Sequence, residues 1–223
     1  MMDNRVPYDK TPTVWSPDGE LIQLSYARRA TEKGLPGIAM VVEGKDILLA
    51  TKSKADTIIE TPSKIKEIDT GLFMLASGLS SDSNLLLIQA RYMAQNHRLI
   101  YNERITPYGL TKRLGTLLSE VTLQGGLRVF GASMLIAGFT PYEKKPQIYY
   151  LDNGGSHFSA KAWVTGQDQD QIISFFREHY KPKISEEGAK KLILDAVNSA
   201  IADPAKKIDS KDLEFMKISA EIS

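Results

Sequence analysis

The strongest constraint on the fold is a pair of short, almost wholly apolar segments on either side of a tight turn. Residues 38–42 and 47–50 contain only aliphatic residues, alanine and methionine, and residues 43–46 between them include Gly44. Two such runs around a glycine-containing turn predict a β-hairpin. Because neither run alternates with polar residues, we expect both faces of each strand to be covered. A layered fold with this hairpin inside it satisfies that requirement.

The remaining segments predict strands and helices in groups rather than in strict alternation. Grouped strands beside grouped helices indicate an α+β fold in which two sheets lie between helical layers. On the second predicted helix, the spacing places Leu85, Ile88, Tyr92 and, one turn on, Gln95 on one side. The predicted helices are residues 20–33, 82–98, 107–123, 169–180 and 185–202, and the further strands are residues 64–68, 72–76, 132–139, 147–151, 160–165 and 214–222.

Composition excludes several kinds of chemistry. The chain of 223 residues has no cysteine, which excludes a disulfide scaffold, a thiolate nucleophile and a cysteine-ligated metal centre. A formal net charge of +1 provides no field to recruit nucleic acid or an anionic membrane. The three histidines lie far apart and no Gly-x-Gly pattern occurs, so we expect no metal site, no phosphate-binding loop and no cofactor.

A polar arm precedes the predicted domain. Residues 1–15 show no periodicity, carry Pro7 and Pro12, and contain too little apolar surface to pack alone. We therefore expect an amino-terminal arm at residues 1–15 and a single domain at residues 16–223. No secretory signal is recognisable, and no apolar run approaches the ~18 residues of a membrane span, so the sequence predicts a cytoplasmic protein.

Several motifs, in order along almost the whole chain, resemble those of proteasome α-type subunits. The resemblance implies a four-layer αββα sandwich of the amino-terminal-nucleophile hydrolase type, closest in character to the archaeal α subunit. It also implies a place in the seven-membered outer ring of a barrel-shaped protease, with other α subunits and with β subunits as partners. The motifs are Tyr8-Asp9-Lys10, Ser16-Pro17-Asp18-Gly19, Gln23-Leu24-Ser25-Tyr26-Ala27, Ser77-Gly78-Leu79, the glycine-rich residues 125–131, and residues 135–138.

The chemistry of that fold argues against catalysis by this chain. A hydrolase of this type needs a threonine that follows a cleavable glycine and uses its own α-amine as base. The corresponding junction here is Gly34-Leu35, and the only Gly-Thr pair, Gly115-Thr116, lies inside a predicted helix. Lys64 alone matches a catalytic-type position. A non-catalytic ring subunit is therefore favoured over two alternatives, a Thr-dependent hydrolase and a divergent paralogue that binds a partner without gating.

The resemblance assigns a gate to the amino-terminal region. Tyr8, Asp9, Pro17 and Tyr26 match residues that form a cluster between adjacent subunits and hold an open gate for unfolded protein substrates. Two phenols and a carboxylate can form short hydrogen bonds, and Pro17 fixes its own φ angle. The alternative is that Tyr26 only buries its ring on the helix face. The helix at residues 20–33 is interpreted as a ring-assembly element.

The resemblance also implies a pocket between subunits that receives the carboxy-terminal tail of a regulatory ATPase or another activator. Lys64 is expected to face the terminal carboxylate of the tail. The alternative is an edge-strand lysine that discourages aggregation. Glu20 stands where the family usually has a basic residue and Ser25 where it usually has glutamate. The affinity for the common activator tail, which ends in a hydrophobic residue, a tyrosine and any residue, is therefore expected to be weaker. The predicted pocket residues are Gly19, Glu20, Ser25, Lys64, Gly78 and Leu79.

Overall fold

The computed structural model describes residues 13–53, 58, 62–124 and 126–220. In chain order its elements are α1 (Ile22–Glu32), β1 (Gly37–Val42), β2 (Asp46–Lys52), β3 (Ile65–Asp69), β4 (Leu72–Gly78), α2 (Ser80–Tyr101), α3 (Pro107–Leu123), β5 (Ala132–Phe139), β6 (Pro146–Leu151), β7 (His157–Ala160), β8 (Ala162–Thr165), α4 (Gln169–His179), α5 (Glu186–Ser199) and β9 (Leu213–Ile218). Two short 3-10 helices, Pro204–Lys206 and Ser210–Asp212, precede β9.

The strands form two antiparallel sheets. The first has the order β8-β1-β2-β9 and the second the order β3-β4-β5-β6-β7. The predicted hairpin joins β1 to β2, with Val42 opposite Asp46. Glu43 and Gly44 at its turn both have positive φ angles, 53° and 73°, as type I′ hairpin turns require.

The helices and sheets form four layers, and an apolar cluster lies between each pair of adjacent layers. Ile38, Met40 and Val42 of β1 face helices α4 and α5, because alternate strand residues point to the same side. Ala39 and Val41 point the other way, into a core that they share with Leu75 and Leu135 of the second sheet. Helices α2 and α3 cover the outer face of that second sheet. The predicted αββα sandwich is confirmed.

Helix α3 begins where its sequence indicates. Thr106 precedes it and accepts a hydrogen bond from the Gly109 N–H at 2.9 Å, with Pro107 at the first helical position. A threonine cap satisfies one of the amide groups left unpaired at a helix start, and proline loses nothing there. Gly125, at the end of this helix in the sequence interpretation, lies outside the described residues.

The sequence interpretation of α2 identified the exposed side of the helix rather than the buried one. Leu85, Ile88 and Tyr92 are 53%, 58% and 65% exposed. The buried face instead consists of Leu86, Leu87, Ala90 and Ala94. Because α2 carries apolar residues on two sides, periodicity alone cannot identify the side that meets the sheet, and the small alanines permit the closer approach.

The strand predicted at residues 160–165 corresponds to β8, and β7, which ends at Ala160 in the other sheet, was not predicted. β7 pairs with β6 in the second sheet, whereas β8 pairs with β1 in the first. Lys161 lies between them, and its carbonyl accepts a hydrogen bond from the Val41 N–H at 2.7 Å. The chain passes from one sheet to the other here without a turn signal in its sequence.

None of the helices in the described ranges combines the length and the apolar composition needed to cross a bilayer.

Candidate functional site

Three chain segments converge where α1 leads into β1. The Lys64 Nζ donates a hydrogen bond to the Leu35 carbonyl at 3.1 Å, and the Ser77 Oγ donates to the same oxygen at 2.8 Å. Ser77 also lies 3.2 Å from the carbonyl of Thr165 at the end of β8. Residues from both sheets and from the α1–β1 link are thereby joined around a single carbonyl oxygen.

Glycines make this convergence possible. A Cβ built on Gly34 would overlap the Gly78 backbone nitrogen, and one built on Gly78 would overlap the Gly131 carbonyl oxygen. Gly78 also has a φ of +118°, which residues with a side chain rarely adopt. The backbone of the α1–β1 link therefore lies directly against the end of β4.

A cavity of about 240 Å³ opens beside this point and is called the Lys64 cavity below. Its walls come from the segment that leads into β3, from β4 and from the first turns of α2. The lining residues are Pro62, Ser63, Lys64, Lys66, Met74, Ala76, Gly78, Ser80, Ser83, Asn84 and Leu87. Two of the predicted pocket residues, Lys64 and Gly78, are therefore brought together. Leu79 lies next to the cavity, where its N–H donates to the Gly131 carbonyl at 2.9 Å.

The other predicted pocket residues belong to the start of α1. The Gly19 N–H donates to the Ser16 carbonyl at 2.9 Å and closes the predicted turn, with Gly19 at a φ of +77°. The Glu20 N–H donates to the Ser16 Oγ at 3.1 Å. Gly19, Glu20 and Ser25 do not line the Lys64 cavity within one chain.

Half of the predicted gate cluster can be located. Pro17 lies in the turn before α1, and Tyr26 lies on α1 with 45% of its surface exposed. The guanidinium of Arg29 lies over the Tyr26 ring, 6.0 Å from the ring centroid. Tyr8 and Asp9 fall outside the described residues.

An ion pair between the buried carboxylate of Asp82 and the largely exposed side chain of Arg128 fixes the start of α2, and sequence reasoning did not identify it. Asp82, whose side chain is 1% exposed, accepts hydrogen bonds from Arg128 at 2.7 and 2.8 Å and from the Gly131 N–H at 2.8 Å. The bonds from Arg128 hold the pKa of Asp82 below its usual range, although burial acts in the opposite direction. Two sequence features could have indicated this pair: Asp82 in the first turn of a predicted helix, and Arg128 two residues after the Gly125-Gly126 pair.

The positions that would carry catalysis hold other groups. Leu35 follows Gly34, whose carbonyl accepts a hydrogen bond from the Gln167 N–H at 2.8 Å. Near the end of β2, where the resemblance implies an acidic partner, the chain has Lys52. Across the residues that the structure describes, histidines and acidic side chains form no group able to hold a metal ion.

Comparison with known proteins identifies the family. Residues 31–216 match the proteasome subunit family. The chain belongs to the proteasome subunit family. It is 36% identical over 200 residues to the proteasome subunit alpha of Thermococcus gammatolerans, a match that covers 89% of this chain and 76% of that protein. It is 34% identical over 222 residues to the same subunit of Pyrococcus horikoshii, with 96% and 84% covered.

Plant members are similarly related. The proteasome subunit alpha type-7-B of Arabidopsis thaliana is 34% identical over 206 residues, which cover 91% of this chain and 81% of the relative. The resemblance drawn from the sequence is therefore confirmed. The proteasome family match includes both sheets and helices α2 to α5, whereas the turn at residues 16–19 and most of α1 precede it.

Proposed function

We propose that this chain is a non-catalytic α-type subunit of the 20S proteasome core. It forms the seven-membered outer ring with other α subunits, contacts a ring of β subunits, admits unfolded protein substrates through a gate, and docks a regulatory ATPase or another activator. The complex that it serves is a threonine-type protease in the cytoplasm. The α-type names of its relatives support this assignment.

The hydrogen bond from Lys64 to Leu35 carries the proposal of a non-catalytic role. Catalysis of this type requires a hydroxyl nucleophile and a free α-amine on the same residue. Leu35 has no hydroxyl, and α1 precedes it in the chain, so its nitrogen belongs to a peptide bond. The Lys64 ammonium, which would assist such a nucleophile, instead donates to the Leu35 carbonyl at 3.1 Å. The fold keeps a catalytic-type lysine without the group on which that lysine would act.

Activator docking is proposed for the Lys64 cavity. A lysine at the mouth of a groove provides a point charge for a terminal carboxylate. Gly19, Glu20 and Ser25 lie apart from this cavity within one chain, which is compatible with a pocket that two neighbouring subunits complete. Gating is proposed for the residue 1–15 arm together with Tyr8, Asp9, Pro17 and Tyr26, and the exposed ring of Tyr26 supports a contact with a neighbour.

Co-expression with a β subunit from the same source tests the proposal. We expect a complex with the native mass of stacked seven-membered rings, in which this chain keeps the residues before Leu35. Its peptidase activity should disappear when the β threonine is replaced by alanine. A chain that is cleaved to a new amino-terminal threonine and is active alone would support the hydrolase alternative. A chain that stays monomeric would support the partner-binding paralogue.

A further inference from the structure

We infer that the Lys64 cavity selects activator tails whose last residue has an acidic side chain. The inference rests on the proposed docking function and specifies the chemistry of the partner. It comes from a second cation in the same cavity, Lys66, to which the proposed docking function assigns no role.

Two lysines line the same cavity. Lys64 lies just before β3, and Lys66 is the second residue of that strand. Lys66 lies opposite Met74 of β4, which also lines the cavity. The last residue of a tail in this cavity would therefore lie near two lysines. Its terminal carboxylate needs only one of them, which leaves the other for an acidic side chain.

The described part of the cavity lining provides no carboxylate for Lys66. No acidic side chain is among the residues found to line the cavity in the described part of the chain. Asp82, in the first turn of α2, is already bound by Arg128 and by the Gly131 N–H and does not line the cavity. The Lys66 ammonium has no hydrogen bond or ion pair with any other described residue. A carboxylate on a bound tail would therefore give the Lys66 ammonium an ion-pair partner.

The remaining lining fits an acidic residue with an aliphatic stem. Met74, Ala76 and Leu87 provide apolar contact, while hydroxyl and amide groups are supplied by Ser63, Ser80, Ser83 and Asn84. The volume of about 240 Å³ lies below the roughly 300–1,000 Å³ of sites that enclose a drug-sized ligand. The cavity therefore suits one terminal residue, and glutamate matches its charge and its apolar surface.

Binding of two short labelled peptides to the full chain, co-assembled with its β subunit, tests the inference. The peptides share a hydrophobic residue and a tyrosine before the end and differ only in the last residue, glutamate in one and glutamine in the other. We expect the glutamate peptide to bind about five-fold more tightly, the size of one favourable, partly screened ion pair. The difference should shrink as salt is raised.

Three variants separate the contributions. Lys66→Gln should remove the preference and leave the affinity for the glutamine peptide unchanged, whereas Lys64→Gln should weaken both peptides. Lys191→Gln, which removes an exposed lysine from α5, should change neither affinity. The thermal midpoint of each variant shows whether it is folded.

The possible outcomes distinguish the inference from the function on which it rests. Equal affinity of the two peptides for the unsubstituted protein, or a preference that survives Lys66→Gln, would overturn the inference and leave docking intact. If neither peptide binds, the inference is overturned, and the docking function fails with it if activator-stimulated degradation also survives Lys64→Ala.

Discussion

At the scale of single residues, the ion pair between Asp82 and Arg128 has the clearest energetic consequence. The Asp82 carboxylate is almost completely buried and accepts four hydrogen bonds, two from Arg128 and one each from Ser81 and the Gly131 N–H. Its removal leaves the buried Gly131 N–H without an acceptor, which costs more than an exposed ion pair contributes. Asp82 is therefore expected to stabilise the start of α2 and the loop before β5 together.

Asp82→Asn should lower the free energy of unfolding by about 2 kcal/mol at neutral pH, because the Gly131 N–H and the Arg128 guanidinium lose a charged acceptor. Because the folded-state pKa of Asp82 is depressed, the stability that the pair contributes is present above the unfolded-state pKa of about 3.9 and is lost as the pH falls through the folded value. The difference between the two proteins should therefore shrink below about pH 4. Urea unfolding at a series of pH values measures it.

The matched control for that experiment is Glu143→Gln. Glu143 pairs with Lys145 at 2.7 Å, but both side chains are more than half exposed, at 63% and 70%. We expect Glu143→Gln to change the free energy of unfolding by less than about 0.5 kcal/mol. Similar losses for the buried carboxylate of Asp82 and the exposed one of Glu143 would show that Asp82 has no special structural role.

Lys64→Ala should abolish activator-stimulated degradation while ring assembly and peptide hydrolysis by the β partner persist. A charge-assisted contact of this kind contributes about 1.5–3 kcal/mol when it is shielded from water. Degradation of an unfolded protein with and without activator measures the effect, and Lys191→Ala is the control. Stimulation that survives in Lys64→Ala would favour the edge-strand interpretation of this lysine.

At the scale of elements, α2 shows how burial rather than hydrophobicity determines a residue's contribution. Leu86 and Ile88 are two positions apart on one helix, yet Leu86 is completely buried and Ile88 is 58% exposed. Only the buried side chain leaves a cavity when it is truncated. The exposed side chain already contacts solvent in the isolated chain.

Leu86→Ala should therefore reduce the free energy of unfolding by about 3 kcal/mol, and Ile88→Ala by less than about 1 kcal/mol. Chemical denaturation of the separate chain measures both variants under the same conditions. Equal losses would mean that α2 packs in solution with a different side against the sheet.

Helix α1 contributes little to the core of its own chain. Of its 11 residues, only Ala27 and Thr31 are buried. Deleting residues 1–33 should leave a folded protein that no longer forms complete rings, because the assembly contacts assigned to this helix are lost. Native mass and circular dichroism of the truncated protein test this. Intact rings after the deletion would contradict the assembly role of α1.

At the scale of the whole molecule, the proposed gate predicts a change in substrate entry without a change in assembly. Deleting residues 1–12, which lie outside the described residues, should leave the ring intact and open its pore. Co-assembled with an active β subunit, the truncated chain should degrade a casein-like unfolded protein faster in the absence of an activator. Hydrolysis of short peptides serves as the control, because they are expected to pass the closed gate. An unchanged rate of protein degradation would show that the arm does not act as a gate here.

Local patterns were sufficient for most of the elements. The hairpin around Gly44 and the cap at Thr106 follow from rules that act within a few residues, because the turn and the helix start satisfy their own backbone groups. The motif series also identified the family and therefore the four-layer order of the sheets and helices. Lys64 was singled out as a candidate from the same motifs.

Other features depended on contacts between distant segments. Only the folded chain shows which side of α2 faces the sheet and that Lys66 shares a cavity with Lys64. It also shows that a separate strand, β7, precedes β8 and pairs in the other sheet. The bond between Asp82 and Arg128 joins residues 46 positions apart. The sequence by itself thus determined most of the elements, the family and the missing nucleophile, because each depends on residue identity and short spacing. The tertiary structure alone decided burial, charge pairing and the composition of the cavity, because these arise where segments far apart in sequence pack against one another.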